Sequence, residues 1–191
     1  MRFHTKALLK LMKQSYKGGG VKVLRTEVWL RDSFFLSGAG WALLIPKEKC
    51  PGELAGQLVA WLADMPRIGD GYWLVKGYDP QAMEQAEKDL CVPNYTRSLY
   101  SLGMKHLPVR TETDLLVQLG DKTVAALDLD AEAVIDGGLN LGAFDPAVRV
   151  AQWQDEDTDA LFWARNDINN VCEMARIAAA ACDVWGNRKE N

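Results

Sequence analysis

Residues 21–46 read VKVLRTEVWLRDSFFLSGAGWALLIP. Val21–Arg31 is rich in β-forming residues with partial alternation. Val21, Val23, Glu27, Trp29 and Arg31 would share one side, and Lys22, Leu24, Thr26, Val28 and Leu30 the other. The polar run Arg31-Asp32-Ser33 is expected to break this strand, and Phe34–Leu36 begins a second. Ser37-Gly38-Ala39-Gly40 turns the chain, and Trp41–Ile45 is a third apolar run ending at Pro46. Connections this short return the chain antiparallel, because parallel neighbours need a long crossover. The stretch therefore predicts a meander and points to an α+β fold of antiparallel strands and hairpins with about four helices around them.

Upstream, Arg2–Thr5 is expected to form a short strand, and Lys6–Lys17 reads as a helix. At 100° per residue Lys6, Lys10, Lys13 and Lys17 fall in a sector about 60° wide. Leu8, Leu9, Leu11, Met12 and Tyr16 lie opposite, and Gly18-Gly19-Gly20 stops the helix. Downstream, Pro51 suits the first turn of a helix with Leu54, Leu58, Trp61, Leu62 and Met65 on one stripe and Glu53, Gln57, Ala60 and Asp64 facing away. Tyr72–Lys76 reads as a strand, and Asp79 as the cap of a polar helix from Pro80 to about Leu90. Residues 91–112 match no element pattern.

Asp114–Leu119 and Thr123–Leu127 flank Gly120-Asp121-Lys122 as a hairpin, and Ala131–Ile135 either extends that pairing or forms a short helix. Val148–Trp153 and Leu161–Ala164 flank an acidic turn as a second hairpin. A last helix follows Asn166-Asp167, with Ile168, Val171, Cys172, Ala175, Ala179 and Cys182 on one stripe. It is apolar almost all round, which predicts burial or contact with a second copy. The chain reads as a single compact unit, 1–191, with 1–90 and 107–191 as candidate subdomains.

At 191 residues a single core needs no metal or disulfide staple. The longest apolar stretches fall well short of the ~20 residues that span a bilayer, and lysines interrupt the N-terminal segment, so the expectation is a soluble, cytoplasmic protein with no membrane partner. Net charge is −4, but residues 1–60 hold ten Lys/Arg against four Asp/Glu, leaving the acidic excess to the remainder. The overall balance argues against a free nucleic-acid binder, and the basic first third suits a local anionic partner. Cys50, Cys91, Cys172 and Cys182 show no CxxC spacing and read as free thiols.

His4 and His106 sit in no motif that would pair a base with a nucleophile. Asp128 and Asp130 would project from one side of a strand, where two carboxylates could hold Mg²⁺ or Mn²⁺; a solvated strand end gives the same pattern. Asp155-Glu156-Asp157-Thr158-Asp159 lacks the glycine and terminal Glu of a calcium loop and reads as a soluble hairpin tip. The glycine clusters lack a Walker or dinucleotide context, so no cofactor is implied. Trp29 beside Arg31 is the one hint of an aromatic–basic stacking surface.

Met1-Arg2-Phe3, Lys6-Ala7-Leu8-Leu9-Lys10 and Phe34-Phe35-Leu36 leading to Leu43-Leu44-Ile45-Pro46 resemble the opening of a DNA sliding-clamp domain of the bacterial polymerase processivity type. The resemblance covers residues 1–76. It implies a helix whose basic face, Lys6, Lys10, Lys13 and Lys17, lies toward duplex DNA, and a second helix at Pro51–Met65; the outward Glu53, Gln57 and Asp64 depart from that pattern. The leading expectation is a non-enzymatic binding module, a clamp-like accessory factor in DNA metabolism with DNA or a protein as partner. The alternatives are a small metal-dependent enzyme using the aspartates, or a structural protein that oligomerises through its last helix.

Overall fold

The computed structural model describes residues 2–91, 102–110, 114–121 and 123–165. The expected last helix, with Val171, Cys172 and Cys182, lies outside the described residues. Helix α1 (Thr5–Gly18) leads into the meander β1 (Val21–Val28), β2 (Arg31–Gly38) and β3 (Trp41–Pro46). A 3-10 turn (Lys47–Lys49), α2 (Gly52–Leu62), β4 (Gly71–Leu74), β5 (Gln81–Ala82) and α3 (Gln85–Cys91) follow. Then come β6 (Leu102–Arg110), β7 (Asp114–Leu119), β8 (Val124–Asp128), α4 (Leu129–Ile135), a second 3-10 turn (Leu139–Leu141), β9 (Ala143–Asp145), β10 (Val150–Gln154) and β11 (Leu161–Arg165). The class is α+β, with four α-helices among the described residues and an antiparallel sheet of eleven strands.

The strand order is β5-β4-β1-β2-β3-β11-β10-β9-β6-β7-β8. Outward from the β3–β11 junction, each side presents the last, middle and first strand of a meander. A helix precedes each meander, α1 before β1–β3 and α4 before β9–β11, and the two helices pack together on one face of the sheet. This duplication lies in topology; the sequence carries no matching repeat. One continuous sheet joins strands from both candidate subdomains.

Alternation distributes the apolar side chains to both faces. Phe34, Leu36, Leu43, Ile45 and Phe162 join Leu8, Leu11 and Met12 of α1 and Leu54 and Leu58 of α2 in the main core. Phe35, Leu44, Leu161 and Trp163 lie in a second cluster. All six residues of β3 are buried, which is why Trp41–Ile45 reads as an unbroken apolar run rather than an alternating one. Each fully buried Leu or Phe contributes roughly 1.5–3 kcal/mol by burial.

Three expectations need correction. The β1–β2 turn falls at Trp29-Leu30, not at Arg31-Asp32-Ser33. Asp32 sits within β2, where Arg25 of the neighbouring strand grips both its oxygens at 2.8 and 2.6 Å, so the polar run is satisfied without leaving the sheet. The turn has two residues with φ of 50° and 62°; the left-handed conformation normally draws Asn-Gly and costs other residues about 1–3 kcal/mol each. Arg2–Thr5 forms no strand: His4 donates its N–H to the Val134 carbonyl and becomes the N-cap of α1. The helix expected from Pro80 starts at Gln85, because Gln81 and Ala82 pair with Trp73 and Tyr72. The hairpins β7–β8 and β10–β11 lie where the sequence places them, and β6 occupies part of the stretch that matched no pattern.

Candidate functional site

The surface of α1 follows from what its other side buries. Leu8, Leu11 and Met12 face the core, Trp41 donates its indole N–H to Ser15 at 2.8 Å, and Tyr16 stacks on Trp61 of α2 at 4.5 Å. The rotation of the helix is thereby set. The His4 Nδ1 accepts the Ala7 N–H at 3.1 Å at the start. At the end the N–H groups of Gly19 and Gly20 both reach the Ser15 carbonyl, with Gly20 at φ +100°.

Lys6, Lys10, Lys13 and Lys17 are consequently all exposed, and with Leu9 and Gln14 they line one shallow furrow along α1. The ridge is about 16 Å long at 1.5 Å per residue. Lys10 reaches Asp130 of α4 at 2.9 Å; Lys6, Lys13 and Lys17 have no carboxylate within ion-pair distance among the described residues.

Asp128 and Asp130 do not project together from a strand. Asp128 ends β8 and is the N-cap of α4, its carboxylate accepting the N–H groups of Asp130 at 2.7 Å and Ala131 at 3.4 Å. Asp130 is the second residue of that helix and is taken by Lys10. An Asp before an apolar helical segment is a cap signal that the sequence carries openly. Among the described residues no group of three or more His, Cys, Asp or Glu side chains is placed to hold a metal ion.

The acidic stretch after β10 has a role that sequence reasoning missed. Asp155 is buried, and its carboxylate accepts the N–H groups of Phe3, Asp157 and Thr158 and the Thr158 hydroxyl. Burial pushes its pKa up, but those donors outweigh burial and hold it below the ordinary Asp value. Asp157 pairs with Arg2 at 2.6 Å, so the same loop clasps the N-terminal segment that leads into α1. Asp159 accepts from Lys49 at 2.6 Å and Arg31 at 3.1 Å, and these cations lower its pKa. The stretch is the hairpin tip that the sequence suggested, and it also anchors the N-terminal segment.

Cys50 is half-buried and Cys91 buried, both as free thiols. Burial raises the Cys50 thiol to about 11, which keeps it protonated and unreactive at neutral pH. His106 lies in β6 opposite Val117. No helix among the described residues is long and apolar enough to cross a membrane. Compared with known proteins, the chain matches no family model, and no curated protein is similar to it.

Proposed function

We propose that this chain is a non-catalytic binding module of clamp-like build that lays α1 along the backbone of duplex DNA in the cytoplasm. The observation that carries the reading is the ridge itself: three lysines without carboxylate partners among the described residues and a fourth held by one surface ion pair, on a helix locked in rotation by its core contacts. Four like charges at i, i+3 and i+4 spacing disfavour a helix by a few tenths of a kcal/mol per pair, a small cost that an anionic polymer would repay. Support also comes from the paired helix-and-meander units, which place α1 and α4 side by side on one face of a continuous sheet.

The chemistry sets the strength. Contacts from three or four lysines give a log–log salt slope near −3, at about −0.9 per neutralised phosphate. The net charge of −4 and the acidic start of α4 weaken association further. The test is fluorescence anisotropy of a short labelled duplex at about 20–50 mM salt, where this electrostatic term is largest. The parent should bind and the Lys6→Gln/Lys13→Gln/Lys17→Gln variant should not; equal curves would remove the DNA reading.

A further inference from the structure

The tip of the β1–β2 hairpin breaks two rules at once. Trp29 and Leu30 are 66% and 92% exposed, and both occupy left-handed backbone that Asn-Gly would fill without strain. Strain of this kind collects where a side chain has a use. Trp29 also walls a cavity of about 610 Å³ at that end of the sheet, on the face opposite α1. The size suits a small organic ligand.

Its floor is apolar, from Val28, Leu44 and Leu161, and its other side carries Gln152 and Gln154. Gln152 Oε1 accepts the Trp163 indole N–H at 3.0 Å, which fixes the amide and leaves its NH₂ as a donor pair. Arg31, also in the lining, spends one Nη1 N–H on Asp159, and its Nε and Nη2 meet no acceptor among the described residues. Lys49 shares the same Asp159 oxygen, so two cations face one carboxylate at the rim. An exposed aromatic ring, side-chain amides of which Gln152 is fixed, and a guanidinium with two parallel donors are the groups that take a base face, a base edge and a phosphate respectively.

We propose that this cavity holds one unpaired nucleotide of a single-stranded nucleic acid, its base stacked on Trp29, its edge at Gln152 and Gln154, and its phosphate at Arg31. The site goes beyond the duplex-binding ridge and lies on the other face of the sheet, so the two stand or fall separately.

The experiment is anisotropy of labelled oligo(dT) with the full chain at low salt. The parent should bind. Trp29→Asn/Leu30→Gly, which installs the turn residues this backbone prefers, should melt at or above the parent temperature and bind about tenfold more weakly, the size of one lost stacking contact. Trp29→Phe should keep binding within a few-fold. Arg31→Gln should weaken binding and flatten the salt slope by about 0.7, one single-strand phosphate contact. The three-lysine variant should lose duplex binding and keep oligo(dT). Free dTMP tested as a competitor should displace the oligonucleotide only weakly. No oligo(dT) binding, or binding that follows the lysines and ignores Trp29, would overturn the proposal. Tighter binding of dTMP than of oligo(dT) would also overturn it, because the source would then be a free nucleotide.

Discussion

In the first helix-and-meander unit, α1 runs 14 residues and presents four lysines; in the second, α4 runs seven and opens with Asp130 and Glu132 behind the Asp128 cap. Both units set a tryptophan of the main core against a glycine. Trp41 lies over Gly38 and donates to Ser15, whereas Trp153 lies over Gly142 and donates to the Leu139 carbonyl. The packing plan is shared and the surface charge is reversed. The Lys10–Asp130 pair joins the two helices, so one unit partly screens the ridge offered by the other. The difference shows that the core fixes where the helices lie while the exposed residues, free of core constraints, decide what they meet.

The largest effect should come from the junction. Phe162 of β11 is fully buried, meets Phe3 at 5.9 Å and Trp153 at 6.1 Å, and sits beside β3 of the other unit. Phe162→Ala should cost about 3–5 kcal/mol. Because the sheet is continuous, a melt followed by circular dichroism should shift as one transition; two separated transitions would mean that the units are independently stable.

Gly142→Ala probes the second unit alone. A Cβ there would stand 2.2 Å from the Trp153 indole nitrogen, so the ring must move and give up its buried hydrogen bond. A loss of about 2–3 kcal/mol is expected in urea unfolding. Gly38→Ala is the same test in the first unit: its Cβ would stand 2.5 Å from both the Trp41 indole nitrogen and Ser15 Oγ, the two ends of one hydrogen bond, and a similar loss is expected.

Asp155→Asn tests the clasp between the acidic loop and the start of α1. The Asp155 pKa is lowered on folding, so the carboxylate stabilises the fold above its unfolded value of about 3.9. That contribution is lost as pH falls through this value toward the folded one. The variant should be about 1–2 kcal/mol less stable at neutral pH, with a flatter loss of stability as pH falls below about 4. Parallel acid limbs for parent and variant would remove Asp155 from that role. The smallest effect belongs to Asp130→Asn: its pair with Lys10 is exposed, so a thermal melt should register a change within about 0.5 kcal/mol.

What the sequence made legible follows from locality. The unbroken apolar β3, the glycines after α1 and the β7–β8 turn each act on residues next to them, and each could be read directly. Asp155 could not, because its partner Phe3 is 152 positions away. The Trp29-Leu30 turn was illegible for a different reason: local turn chemistry argues against it, and only the pairing of Val28 with Arg31 enforces it. The lysine ridge was visible as a pattern, but its pairing with Asp130 depends on α4 packing against α1.

The central claim, that α1 is the binding face and Asp130 partly screens it, is tested most directly by the salt dependence of duplex binding in three proteins. The parent should give a log–log slope near −3, and Asp130→Asn, which frees Lys10, should bind more tightly with a slope steeper by about 0.9. The three-lysine variant should show no binding in the same range. Coincident curves for all three, or an Asp130→Asn slope no steeper than the parent's, would contradict the account.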